Sequence, residues 1–113
     1  MSLGFQGEEV ASNYLKNKGY QVLERNFRCK MGEIDIIACI HKTLVFVEVK
    51  TRRNLKFGLP CEAITKNKKV HIKKVAAFYA TKNKVEKINQ RIDVIEILYQ
   101  GEKAYIRHTE NAF

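Results

Sequence analysis

Two apolar stretches, Glu33–Ile40 and Thr43–Val49, are separated only by His41-Lys42, and this spacing constrains the chain more than any other feature. Both stretches are rich in Ile and Val, and a break that short joins two strands as an antiparallel hairpin. With a two-residue turn, facing positions sum to 83, so Ile40 faces Thr43, Asp35 lies opposite Glu48 and Glu33 lies opposite Lys50. Side chains alternate along a strand, which predicts Glu33, Asp35, Glu48 and Lys50 on one face. Ile34, Ile36, Ala38, Val45, Val47 and Val49 then form the opposite, core face, while Ile37–Phe46 and Cys39–Leu44 continue the charged face as covered surface. His-Lys is not a favoured turn pair; a four-residue loop keeps the same register, and a three-residue loop destroys it.

Directly opposed residues have Cβ atoms about 4.5–5.5 Å apart, so this register sets two carboxylates against each other. Folding gains nothing from their repulsion, which costs on the order of 1 kcal/mol. A divalent cation would relieve it, and hard oxygen donors suit Mg²⁺ or Mn²⁺. The same spacing also suits a cross-strand ladder of ion pairs, with Glu33–Lys50 as one rung and arginines holding Asp35 and Glu48. Glu8 lies one helical period from Ala11 and Leu15, so it leans inward while Glu9 points away. An acid near a helix start can equally serve the helix dipole.

The rest of the chain supplies the frame. Phe5–Lys18 carries Val10, Ala11, Tyr14 and Leu15 at helical spacing, and Gly19 stops the helix. Tyr20–Phe27 reads as a strand, and Thr51–Glu62, with Gly58 and Pro60, as a loop. Thr65 caps a second helix running to about Thr81, whose buried stripe is Ile72, Val75, Ala76 and Tyr79. Arg91–Tyr99 is a further strand, and Ala104–His108 a short last one. A helix between the third and fourth strands implies a parallel crossover, hence a mixed sheet. Asp93 interrupts the apolar run Ile92-Asp93-Val94-Ile95 and is expected to pair with a buried Arg or Lys.

With 113 residues, the chain (1–113) is expected to form a single domain. No run of about 18 apolar residues offers a membrane-spanning helix. The start Met1–Phe5 lacks the basic and apolar stretches of a secretion signal, so a cytoplasmic protein without membrane contact is expected. Lys and Arg number 21 against 12 Asp and Glu, a net charge of +9 that suits a polyanionic partner. Cys29, Cys39 and Cys61 are read as free thiols, because these and His41 and His71 lack the paired short spacing of a zinc site.

Gly7-Glu8, Gly32-Glu33-Ile34-Asp35-Ile36-Ile37 and Phe46-Val47-Glu48-Val49-Lys50-Thr51-Arg52 resemble the YraN-like uncharacterised bacterial proteins. Those in turn resemble Holliday-junction resolvases and the PD-(D/E)xK nuclease superfamily. The resemblance extends through Asn26-Phe27-Arg28, Phe57-Gly58, Ile64-Thr65, Lys68 and Asp93-Val94. It implies an α/β, restriction-endonuclease-like αβββαβ core with a mixed central sheet flanked by helices. It also assigns Asp35 to the motif aspartate, Glu48 to its second acid, Lys50 to its lysine and Glu8 to the helical glutamate completing a metal site. The motif proline is absent, with Ile34 in its place.

What the resemblance implies is a metal-dependent nuclease that hydrolyses phosphodiester bonds of DNA, branched DNA included. Glu8, Asp35 and Glu48 would hold the cation, and Asp35, Glu48 and Lys50 would be catalytic. Lys50 is expected to stay protonated among acids and to stabilise negative charge, with Glu33 hydrogen-bonded to it. Arg52, Arg53, Lys56 and Lys68 are the candidates for backbone phosphates, which position a nucleic acid without reading its sequence. Lys66, Lys69, Lys73 and Lys74 crowd the start of the second helix, either facing phosphates or simply solvated. A homodimer is implied by the resolvases alone, with Phe5, Tyr105 and Phe113 either as surface anchors for it or as caps on the core. The competing readings are a non-catalytic nucleic-acid-binding module with the same fold, and a basic protein-interaction domain.

Overall fold

The computed structural model describes residues 3–52 and 64–113, with side chains from Gln6 onward. The chain runs α1 (Leu3–Asn17), β1 (Gln21–Cys29), β2 (Gly32–Ile40), β3 (Thr43–Arg52), α2 (Lys66–Lys82), β4 (Asn89–Gln100) and β5 (Lys103–Thr109). The strands form one sheet in the order β1-β2-β3-β4-β5, antiparallel except for the parallel β3–β4 pair that the α2 crossover requires. Among the described residues no helix is long and apolar enough to cross a membrane.

One helix covers each face of the sheet. Ala11 and Leu15 of α1 pack on Ile36, Ala38, Val45, Val47, Ile95 and Ile97. On the other face Ile72, Val75, Ala76 and Tyr79 of α2, the expected stripe, pack on Ile34, Ile37, Leu44, Phe46, Ile92 and Val94. The Thr65 side chain caps α2 by accepting the Lys68 N–H at 3.2 Å. Gly19, at φ 94°, ends α1 where a residue with a side chain would be strained.

His41 and Lys42 form the two-residue turn, both at positive φ (47° and 61°), so the pairs from Ile36–Val47 to Ile40–Thr43 all sum to 83. Tertiary pairing imposes a turn that neither residue type favours. β3 runs on through Thr51 and Arg52, two residues assigned to a loop from sequence, because both pair with β4, at Ile97 and Leu98. The remainder of that expected loop, with Arg53, Lys56, Gly58, Pro60 and Cys61, lies outside the described residues.

The expectation of strict alternation along β2 fails at one step. Ile34 belongs to the α2-side core and Ile36 to the α1-side core, although residues two apart should share a face. The cause lies across the hairpin. Asn26 of β1 adopts φ 54°, and the ladder skips Asn26 and Asp35 while keeping register on both sides, Arg25–Ile36 and Phe27–Ile34. Asparagine tolerates this left-handed conformation better than most residues. Both strands exchange faces there, and Asp35 stands at the step.

Candidate functional site

Glycine at position 7 brings α1 against β3. A β-carbon on Gly7 would be driven into the Thr51 hydroxyl and would lie 3.4 Å from the Thr51 Cβ. That close approach sets Glu8, the next residue, beside Asp35. Burial and then the Asp35 charge push the Glu8 carboxyl above its ordinary value, against the opposing pull of Arg25 and an Asn26 side-chain hydrogen bond. Glu8 Oε1 is buried and has no hydrogen-bond partner among the described residues. Glu9 pairs with the same Arg25 of β1.

Asp35 and Glu48 meet as the register predicts, but the step in β2 changes how. The Asp35 Oδ2 accepts the main-chain N–H of Val49 at 2.8 Å. The Asp35 and Glu48 side chains also share a hydrogen bond, which requires a proton on one of them. Glu48 is only 5% exposed. Burial, then the hydrogen bond and charge of Asp35, push its carboxyl up to about 8, despite the nearby cations Lys68 and Lys50. Its Oε2 is a second buried oxygen without a partner among the described residues, while its Oε1 lies 3.7 Å from Lys68 Nζ.

Two expectations are corrected. Glu33 does not join Lys50: because Ile34 has turned toward α2, Glu33 faces the other way and its Oε2 accepts Arg28 Nε at 2.9 Å. Glu33, Asp35, Glu48 and Lys50 therefore do not line one face. Lys68, a candidate for a backbone phosphate, extends from the first turn of α2 with its Nζ 3.7 Å from Glu48 Oε1. Lys50 contributes to the field at Glu48 as expected. Arg52 ends β3 with its Nε 3.4 Å from Glu96 Oε2.

Asn26 carries more than its sequence reading assigned. It makes the step in β1 and hydrogen-bonds Glu8, and the signal was an asparagine inside a strand. Glu96, inside Ile95-Glu96-Ile97, gives the same signal as Asp93, an acid in an apolar run. Asp93 does pair with arginine: Arg91 Nε donates to Oδ1 at 2.9 Å, His108 Nε2 lies 2.7 Å from Oδ2, and Asn111 N–H donates to Oδ1 at 2.9 Å. Burial pushes the Asp93 carboxyl up, but these hydrogen bonds outweigh it and hold it below its ordinary value.

The donors at Glu8, Asp35 and Glu48 fit a hard divalent cation in kind: all are carboxylate oxygens, and two of them are buried without partners among the described residues. In this arrangement, among the described residues, no three His, Cys, Asp or Glu side chains close around a common point. Lys68 holds the place of the positive charge at Glu48 instead. Cys29 and Cys39 are free thiols. A cleft of about 400 Å³ lined by Arg28, Cys29, Gly32 and Glu33 borders this end of the sheet. Another of about 420 Å³ lies between α1 and β5, lined by Val10, Asn13, Tyr14, Asn17, Lys18 and Ile106, and has no acid in its wall. Of the expected dimer anchors, Tyr105 is exposed and Phe113 packs on the α2-side core, while the Phe5 side chain lies outside the described residues.

Residues 7–97 match the model of the uncharacterised protein family UPF0102. The chain is 50% identical to a UPF0102 protein of Caldicellulosiruptor saccharolyticus, over 98% of this chain and 96% of that one. It is 47% identical to a UPF0102 protein of Alkaliphilus oremlandii, over 98% and 97% of the two chains. A UPF0102 protein of Clostridioides difficile is 50% identical, over 95% of this chain and 92% of the relative.

Proposed function

For a chain that belongs to the uncharacterised protein family UPF0102, we propose a metal-dependent nuclease of the PD-(D/E)xK type, hydrolysing phosphodiester bonds of DNA. The observation that carries this reading is the buried Glu48 carboxyl, hydrogen-bonded to the half-buried Asp35, under one cationic side chain from β3 and one from α2. Folding alone has no use for such a pair, since a buried charge costs several kcal/mol unless fully compensated. The order α1-β1-β2-β3-α2-β4 and the mixed sheet are what a restriction-endonuclease-like core would have.

Glu8, Asp35 and Glu48 would hold Mg²⁺ or Mn²⁺, which when bound supplies Lewis acidity at a phosphate oxygen and acidifies a water. The chain's own residues do the rest. Asp35 fixes the Val49 main chain and so the direction in which Glu48 and Lys50 leave β3. The Lys50 side chain stabilises the charge that builds on the phosphoryl oxygens. Lys68 lies 3.7 Å from Glu48 Oε1 and would be available to a substrate phosphate with a cation held at the carboxylates.

The test is cleavage of linear duplex, single-stranded and branched DNA with Mg²⁺ or Mn²⁺, beside a Glu48→Ala control. Cleavage by wild type that the control lacks is the expected result. A second reading, a nucleic-acid-binding module without turnover, draws support from the Lys68–Glu48 ion pair and the unclosed carboxylate group. It replaces the first if no substrate is cut while binding persists.

A further inference from the structure

On the face that carries Glu48, the charged row continues past the acids. Lys50 and Arg52 follow Glu48 on β3 at steps of two residues, roughly 6.6 Å each. The parallel register sets Glu96 beside Lys50, and the antiparallel register sets Arg107 beside Glu96. Lys50, Glu96 and Arg107 thus form a line across three adjacent strands, with Arg52 at its corner.

Glu96 is 0% exposed. Its Oε1 accepts Arg107 Nε at 2.9 Å and Arg107 Nη2 at 2.7 Å. Its Oε2 lies 3.4 Å from Arg52 Nε, near enough to attract but not aligned to bond. The Arg52 Nε is buried and donates to no acceptor among the described residues. Both arginine side chains keep about a quarter to a third of their surface in solvent, 26% for Arg52 and 30% for Arg107. Two guanidinium groups share one carboxylate, and the buried Arg52 Nε–H lacks an acceptor among the described residues. An anion with several oxygens meets both needs, and the planar guanidinium fork matches phosphate in particular.

We propose that Arg52 and Arg107, oriented by the buried Glu96, form a phosphate-binding subsite that seats a backbone phosphate next to the one at the carboxylates. Glu96 is a positioning residue that acts through the arginines. The proposal rests on the nucleic-acid side of the reading above, and extends it to β4 and β5.

The test is a salt titration of binding to a fluorescein-labelled duplex DNA in EDTA, below the melting temperature and with folding checked by circular dichroism. Arg107→Gln and Arg52→Gln should each flatten the log–log salt slope by about 0.9, the value for one lost phosphate contact on duplex DNA. Arg107→Lys should keep the slope but weaken binding severalfold, because lysine keeps the charge and loses the fork. Glu96→Gln gives the sharpest reading. If charge alone mattered, removing an acid would tighten binding of a polyanion; if Glu96 aims the arginines, binding weakens. Unchanged slopes in both glutamine variants, tighter binding by Glu96→Gln, or a flat wild-type slope would each overturn the subsite. Cleavage with Mg²⁺ is scored separately: a chain that shows the slope losses but cuts nothing keeps the subsite and sinks the nuclease reading. One that cuts with unchanged slopes does the reverse.

Discussion

The Asp35 carboxylate accepts the main-chain N–H of Val49 at 2.8 Å, so a side chain does the work of a ladder bond between β2 and β3. In a continued antiparallel ladder that N–H would face the Ile34 carbonyl, by the alternation of hydrogen-bonded pairs from the turn. The step at Asn26 and Asp35 turns Ile34 toward α2 and leaves the amide to Asp35. The acid that faces Glu48 is thereby fixed at one oxygen, and Glu48 must accommodate the remaining charge.

A pH dependence of folding follows. Glu48 is an acid whose folded pKa, about 8, lies above its ordinary value of 4.5. Between these values the folded chain holds a proton that the unfolded chain has released. Stability therefore falls as pH rises through this window, by up to about 1.4 kcal/mol per unit. Asp93, held low, acts only below its ordinary 3.8, outside the window. Urea denaturation of the metal-free protein at several pH values should show wild type losing stability relative to Glu48→Gln between pH 5 and 8, set against the roughly 1.4 kcal/mol limit. Parallel curves would mean that Glu48 ionises normally.

Much of this geometry was legible in local sequence. The His41-Lys42 break fixed the hairpin register, and the acids at 35 and 48 followed from it by counting. Thr65 and the Ile72–Tyr79 stripe marked α2 because capping and amphipathic period are local properties. The face exchange was not legible, since alternation assumes that every residue is extended and Asn26 is not. Glu33 therefore went to the wrong partner. The Lys68–Glu48 pair depends on how the crossover returns α2 to the sheet, which no local pattern encodes.

Gly7 gives a test of how α1 places Glu8. Alanine at a helix interior position normally gains up to about 1 kcal/mol over glycine. Here its methyl group would collide with the Thr51 hydroxyl, and such overpacking costs about 1–3 kcal/mol. Gly7→Ala should therefore lower the melting temperature, and Gly7→Ala/Thr51→Ala should recover to wild type or above. Thermal unfolding of the four proteins in the cycle measures the coupling. A single Gly7→Ala variant as stable as wild type would show that α1 has room to spare.

A cation should compete with the shared proton. Mg²⁺ or Mn²⁺ bound only by the folded chain adds RT ln(1 + [L]/Kd), about 2.7 kcal/mol at a hundredfold excess over Kd. Because the ligands bind deprotonated and Glu48 releases its proton near 8, the rise in melting temperature should be larger at pH 8.5 than at pH 6. Asp35→Asn/Glu48→Gln should show no rise at either pH. Equal shifts in both proteins would place the cation elsewhere.

Lys50 and Lys68 both act on Glu48, and single-turnover kinetics should separate them. Lys50 leaves β3 two residues after Glu48 and should act mainly on the transition state. Lys50→Ala should then lower the cleavage rate by about 10²–10³, the usual cost of one lost donor to developing charge, with DNA affinity nearly unchanged. Lys68 holds the Glu48 carboxylate at 3.7 Å without a cation, so its removal should be felt first there. Lys68→Met should raise the Glu48 pKa further and shift the rise of cleavage rate with pH to higher pH, while leaving the plateau closer to wild type. The pH–rate profiles of the two variants, with affinity measured beside them, decide the matter. If Lys68→Met lowers the plateau as far as Lys50→Ala does and leaves the profile in place, the α2 lysine is the one that meets the transition state.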